Sequence, residues 1–153
     1  MRFDNALFEP RLLFWQVAQL RLTGFLYWDL NFWDSATATH RLIDAAALAS
    51  PYISPKDWSP MQAKGKLDVG DGKLLYAGTD GPIGSVRLAA VRDGIEDFGY
   101  LALLKAKKGD AAVQALISPL STPGNLQEHI GGSPEELKLF MAQRAAIADA
   151  LQA

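Results

Sequence analysis

The chain has 153 residues, 49% of them hydrophobic and 21% charged, with a formal net charge of -2. That length suffices to bury one real core, and the near-neutral charge excludes a basic footprint for nucleic acid or anionic lipid. Cysteine is absent, which excludes disulfides and thiolate zinc sites.

The opening MRFDNALFEPRLLFW carries proline and acids where a signal peptide needs an apolar run, and no apolar run approaches about 18 residues. Neither a signal peptide nor a membrane span is expected. Pro10 through Arg21 reads as a helix, with Pro10 as its first residue and Gly24 as its stop. Leu13, Val17 and Leu20 recur at helical spacing, with Phe14 and Ala18 beside them. FLYW (25–28) follows as a short aromatic strand, expected to be buried. THRLIDAAALA suggests a short helix, and SPYISPKDWSP, with Pro51, Pro55 and Pro60, must be loop, so 34–70 reads as a long loop region.

Next come a turn at GDG, a strand over Lys73–Ala77, and a second turn through GTDGPIG. Ser85 to Lys107 reads as a long helix with Leu88, Val91, Ile95, Phe98 and Ala102 as its core-facing stripe. Arg92 and Glu96, four apart, form a surface pair. Gly94 and Gly99 interrupt this helix at a cost of about 1 kcal/mol each, for which close packing against a neighbour is the expected reason. Residues 109–153 read as closing helices, with Asp110 capping Ala111 to Ser118. Ser133, Pro134 and Glu136 spell a capping box before a last helix bearing Leu137, Phe140, Met141, Arg144, Ile147, Ala148 and Leu151 on one side.

Strands alternating with helices imply an α/β chain, a single domain over 1–153, with βα units and a parallel strand pair. Two strands do not make a stable open parallel sheet, so further strands are needed or the helices carry the fold.

Two segments resemble the catalytic domain of glycoside hydrolase family 123, also described as domain of unknown function 4091. The first is ALFEPRLLFWQVAQLRLTGFLYWDLNFW. The second, GDGKLLYAGTDGPIGSVRLAAVRDGIEDFGYLALLK, is the more specific. It matches the family's GDG, apolar strand, GP turn, Ser-Ile-Arg-Leu-like helix start and RDG-x-EDYEYL at Gly70, Asp71, Gly72, Tyr76, Gly78, Gly81, Pro82, Ser85, Arg87, Leu88, Arg92, Asp93, Gly94, Glu96, Asp97, Tyr100 and Leu101. It departs at Ala77, Phe98 and Gly99, where the family commonly has Pro, Tyr and Glu. The resemblance covers roughly residues 4 to 107.

It implies a (β/α)8 TIM-type barrel, which usually takes about 250 residues. On that reading this chain is the C-terminal part of a barrel, with FLYW as the seventh strand, KLLYA as the eighth and Ser85–Lys107 as the eighth helix. The resemblance also implies a retaining hexosaminidase in which the substrate's own acetamido oxygen attacks the anomeric carbon, served by an adjacent Asp-Glu pair. No match for that pair is found here. Glu96-Asp97 has the reverse order on a helix face, and Glu135-Glu136 suits a helix first turn. Both read as structural, so no catalytic residue is assigned.

Substrate-lining residues in a barrel sit at the C-terminal strand ends and the loops after them. That places Trp28, Asp29, Asn31 and Trp33 as candidates, with Asp71 and Tyr76 beside them. A Trp face stacks on a pyranose, and Asn or Asp hydrogen-bonds hydroxyls. The competing reading is packing for the aromatics, Phe25 and Tyr27 above all, and a turn between two glycines for Asp71. His40 and His129 form no metal motif, no phosphate loop is present, and Ser85 and Ser133 lack a nucleophile elbow. No cofactor is expected. The expected partner is a carbohydrate substrate, with a non-catalytic carbohydrate-binding or structural remnant as the alternative. Self-association through exposed barrel edges is a further expectation.

Overall fold

A computed structural model describes residues 7–30, 72, 74–76, 80–120 and 133–153. Asn31, Trp33 and Asp71, the short helix at THRLIDAAALA and the triple-proline loop lie outside the described residues. The described elements are α1 (Glu9–Gln19), β1 (Leu75–Tyr76), β2 (Ile83–Gly84), α2 (Val86–Lys108), α3 (Asp110–Ile117) and α4 (Pro134–Gln152). They fall into two compact units. One takes its described residues from Leu26–Ala89, the other from Asn5–Phe25 and Ala90–Ala153.

The second unit is helical. α1 starts at Glu9, one residue before the expected Pro10, with the proline in its first turn and the acid of Glu9 suiting the helix N-terminus. Its stop is not Gly24. Arg21 takes a left-handed φ of 55°, its N–H bonds the Ala18 carbonyl at 3.2 Å, and the Leu22 N–H reaches back to Val17 at 3.0 Å. These two bonds are the Schellman closure, with arginine in the position glycine usually takes. Gly24 lies beyond it, with open space around its α-carbon.

The core of this unit gathers Leu12 and Trp15 from α1, Leu101 and Leu104 from α2, Val113 and Ile117 from α3, Leu120 after it, and Phe140 and Ile147 from α4. Each such side chain contributes roughly 1.5–3 kcal/mol on burial. Trp15 meets the Phe140 ring at 5.1 Å, and Phe8 stacks on that ring at 6.0 Å. The expected core positions of α1 and α4 are therefore partly displaced: Leu13 and Leu20 are half-buried, and Leu137 and Met141 are exposed.

The buried face of α2 also differs from its apolar stripe. Gly94, Asp97, Leu101 and Leu104 are buried, whereas Ile95 is 54% exposed. The cause is polar. Asp97 is collected by partners from two other helices, which turns a charged position inward and its apolar neighbours outward. Gly94 meets α1 closely, as expected, but Gly99 has no neighbour within 4 Å of an added Cβ. Asp110 does not cap α3. Gly109 occupies that position with φ 88°, and Asp110 instead binds Arg21 and Lys105. The capping box of α4 forms in full: Ser133 Oγ accepts the Glu136 N–H at 3.1 Å, and Glu136 Oε2 accepts the Ser133 N–H at 2.9 Å.

The first unit contains the strands. β1 pairs antiparallel with β2, Leu75 opposite Gly84 and Tyr76 opposite Ile83. Part of the expected turn is thus strand, and the described residues hold no parallel pair. FLYW is not a strand and is not buried: Phe25 is 42%, Leu26 84% and Trp28 47% exposed. An apolar strand is stable only with paired edges and covered faces; here Phe25 meets the Phe14 ring edge-on at 5.6 Å and the Tyr27 hydroxyl turns to the Gly72 N–H.

Candidate functional site

In the first unit, the chain after FLYW is tied to the approach to β1. The Leu30 carbonyl accepts the N–H groups of Leu74 and Leu75 at 2.8 and 2.9 Å. Leu74 is buried, and its own carbonyl accepts the Ser85 N–H at 3.0 Å. Ser85 then caps α2, its Oγ accepting the Leu88 N–H at 3.1 Å. This buried serine is a helix cap and not a nucleophile. One residue into the helix lies Arg87.

Arg87 is 5% exposed. Burial lowers its pKa, and the neighbouring Tyr76 and Tyr27 oppose that shift. Tyr27 is fixed from the other side: its hydroxyl oxygen accepts the Gly72 N–H at 2.8 Å, and Gly72 adopts a left-handed φ of 75° that suits only glycine well. A buried guanidinium, in the unit that also fixes the Tyr27 hydroxyl, is suited to hydrogen bonding and to orienting a polar ligand.

Of the residues expected to line a pocket, Trp28, Asp29 and Tyr76 are described. Trp28 offers a half-exposed indole. Asp29 is half-buried, and its Oδ1 accepts the Leu30 N–H at 2.7 Å, which orients the carboxylate locally. Tyr76 is half-buried on β1 and, like Tyr27, acts electrostatically on Arg87. Tyr27, expected as packing, holds a fixed polar contact instead. Arg87 was not among the expected lining residues. Its signal was available: a cation two residues after a serine cap at the strand-to-helix turn.

The second unit places Glu96-Asp97 in very different surroundings. The Glu96 side chain is 58% exposed and lies 3.7 Å from Arg92. Asp97 is fully buried. Arg11 grips its carboxylate with two bonds, Nε to Oδ2 at 2.6 Å and Nη2 to Oδ1 at 2.9 Å. Trp15 Nε1 donates to Oδ2 at 3.1 Å, and Arg144 Nε donates to Oδ1 at 3.0 Å. The hydrogen bond to Asp97 raises the Arg11 pKa, against the opposing effect of burial. The Arg11 guanidinium also lies 5.4 Å above the Phe140 ring. With both oxygens occupied and no exposed surface, Asp97 joins three helices and does not serve a substrate.

Among the described residues, no group of three His, Cys, Asp or Glu is placed to hold a metal ion, and no helix is long and apolar enough to cross a membrane. Residues 3–104 match the family model for the glycoside hydrolase 123 catalytic domain, well over half of the chain, and the chain belongs to that family. No curated protein matches it.

Proposed function

We propose that this member of the glycoside hydrolase 123 family supplies part of a sugar pocket, as the C-terminal segment of a (β/α)8 catalytic barrel, without carrying the Asp-Glu pair that performs the chemistry. Family membership supports the carbohydrate class of the substrate. One observation carries the pocket: the first unit buries Arg87 and fixes the Tyr27 hydroxyl on the Gly72 N–H, with the indole of Trp28 exposed one residue from Tyr27. Such a set offers an apolar stacking face beside oriented polar groups, the mixture that a pyranose requires. Asp29, Asn31, Trp33 and Asp71 complete the proposed lining. A β-linked N-acetylhexosaminide is the proposed substrate of the complete barrel.

The second reading, a non-catalytic carbohydrate-binding or structural remnant, is favoured by the helical unit's own core of nine buried residues. One experiment addresses both. The purified chain is titrated with N-acetylgalactosamine by intrinsic fluorescence and assayed on an aryl β-N-acetylgalactosaminide. Saturable binding lost in Trp28→Ala, without turnover, is the expected result. Turnover by the chain alone would overturn the absence of a catalytic acid. Binding indifferent to Trp28→Ala would remove the pocket, and a folded chain that binds no sugar would leave the structural reading.

A further inference from the structure

Within the helical unit, α2 and α4 enclose a cleft of about 320 Å³ lined by Asp97, Tyr100, Arg144, Ile147, Leu151 and Gln152, with Ala148 at its side. That volume falls at the lower end of the range for small-molecule sites. Its character is mixed. Ile147 and Leu151 give it apolar walls, and Tyr100 and Gln152 add neutral polar groups.

Arg144 gives the cleft direction. Its Nε is committed to Asp97, which is itself fully buried. Its side chain remains 40% exposed, and neither Nη1 nor Nη2 has a hydrogen-bond partner among the described residues. The guanidinium is thus held by one edge, with its outer donors available at the cleft. The nearby acids have other cations. Asp97 is gripped by Arg11 in two bonds, while Asp93, which also feels Arg144, is bonded by Arg92 and lies 3.8 Å from Arg11. Lys107 adds positive charge, its Nζ donating to the carbonyl of Leu151 at 2.7 Å.

The geometry points to a binding site for a small carboxylate with an apolar tail. The carboxylate accepts from the Arg144 Nη atoms in the planar fork that guanidinium groups favour, and the tail lies along Ile147 and Leu151. This site is separate from the proposed sugar pocket and does not depend on it.

The test is a titration of the full 153-residue chain with hexanoate, acetate and hexan-1-ol, followed by methyl NMR of Ile147 and Leu151. Hexanoate is expected to bind saturably, at least about tenfold more tightly than either acetate or hexan-1-ol, since both the charge and the tail contribute. Arg144→Gln is expected to lower hexanoate affinity at least about tenfold. Should that variant fail to fold, Ala148→Trp decides: it fills the cleft from an exposed position and leaves the Arg144–Asp97 bond in place. Ala148→Trp abolishes hexanoate shifts while the circular dichroism stays unchanged. Equal affinity for hexanoate and hexan-1-ol would overturn the anion site, as would no saturable shift or hexanoate binding that survives Ala148→Trp.

Discussion

Gly94 lies so close to Arg11 that a β-carbon on it would stand 2.8 Å from the Arg11 carbonyl oxygen and 3.0 Å from its Cα. The same β-carbon would meet Phe14 Cδ2 at 2.6 Å. Backbone gives way less easily than a side-chain tip, so α1 and α2 would have to separate. Gly94→Ala should therefore destabilise by about 1–3 kcal/mol, although alanine favours the helix by about 1 kcal/mol. Gly99→Ala is the control: with nothing within 4 Å of its Cβ, it should stabilise by about 0.5–1 kcal/mol. Urea unfolding distinguishes them, and two variants shifting in the same direction would contradict the packing described for Gly94.

Replacing Asp97 with alanine removes the acceptor of four hydrogen bonds and leaves Arg11 and the buried Trp15 indole N–H without it. The expected cost is about 3–5 kcal/mol, because a buried charged group loses its counter-charge. Arg144→Ala should cost far less, about 1 kcal/mol, since that side chain is 40% exposed and is one of three contributors. Comparable losses in the two variants, measured by urea denaturation, would mean that Asp97 is not the hub.

Arg21 ends α1 in a conformation that favours glycine. Its guanidinium also binds Asp110. Arg21→Ala loses the bond and keeps the strain, whereas Arg21→Gly loses the bond and relieves it. The glycine variant should thus melt about 3 °C above the alanine variant, as read by circular dichroism. An alanine variant melting as high as the glycine one would show that the left-handed turn is not retained.

The Asp110 carboxyl is held below its ordinary value of 3.8, first by the hydrogen bond from Arg21 and next by that from Lys105. A depressed folded-state pKa contributes stability that is fully present above the unfolded value and is lost as pH falls through the folded one. Asp110→Asn should therefore be less stable than the parent near neutrality, and the two should converge as pH drops below about 4. Asp93, depressed by Arg92, leaves a residual acid dependence in the variant. Because Arg21 is largely exposed and Asp110 partly so, added salt should shrink the difference at neutral pH. A gap that stays constant from acid to neutral pH would exclude the ion pair as its source.

Features that depend on a few adjacent residues were the most legible in the sequence. The box at Ser133 and Glu136 uses only groups three residues apart, so spacing and chemistry suffice. The termination at Arg21 was not legible, because arginine carries no left-handed preference and glycine nearby offered a better local signal. The inward face of α2 was hidden for a different reason. Periodicity counts apolar residues, and here an aspartate occupies the buried row because partners 86, 82 and 47 residues away reach it. The proposed lining was legible only as residue types. Trp28 and Tyr76 were chosen from composition and from expected strand ends, whereas the Tyr27–Gly72 bond and the burial of Arg87 needed the fold.

Those long separations also concern the time course of folding. A carboxylate whose partners lie that far along the chain stays hydrated while each helix forms alone, since local contacts assemble before distant ones. The Asp97 cluster should close late, after the helices have docked, and weakening it should mainly accelerate unfolding while leaving the refolding rate nearly unchanged. Closure demands the correct register of α1 and α4 against α2 at once, because a slipped helix would strand a charge in an apolar interior. The cluster would thus act as a final proofreading step for the helical unit.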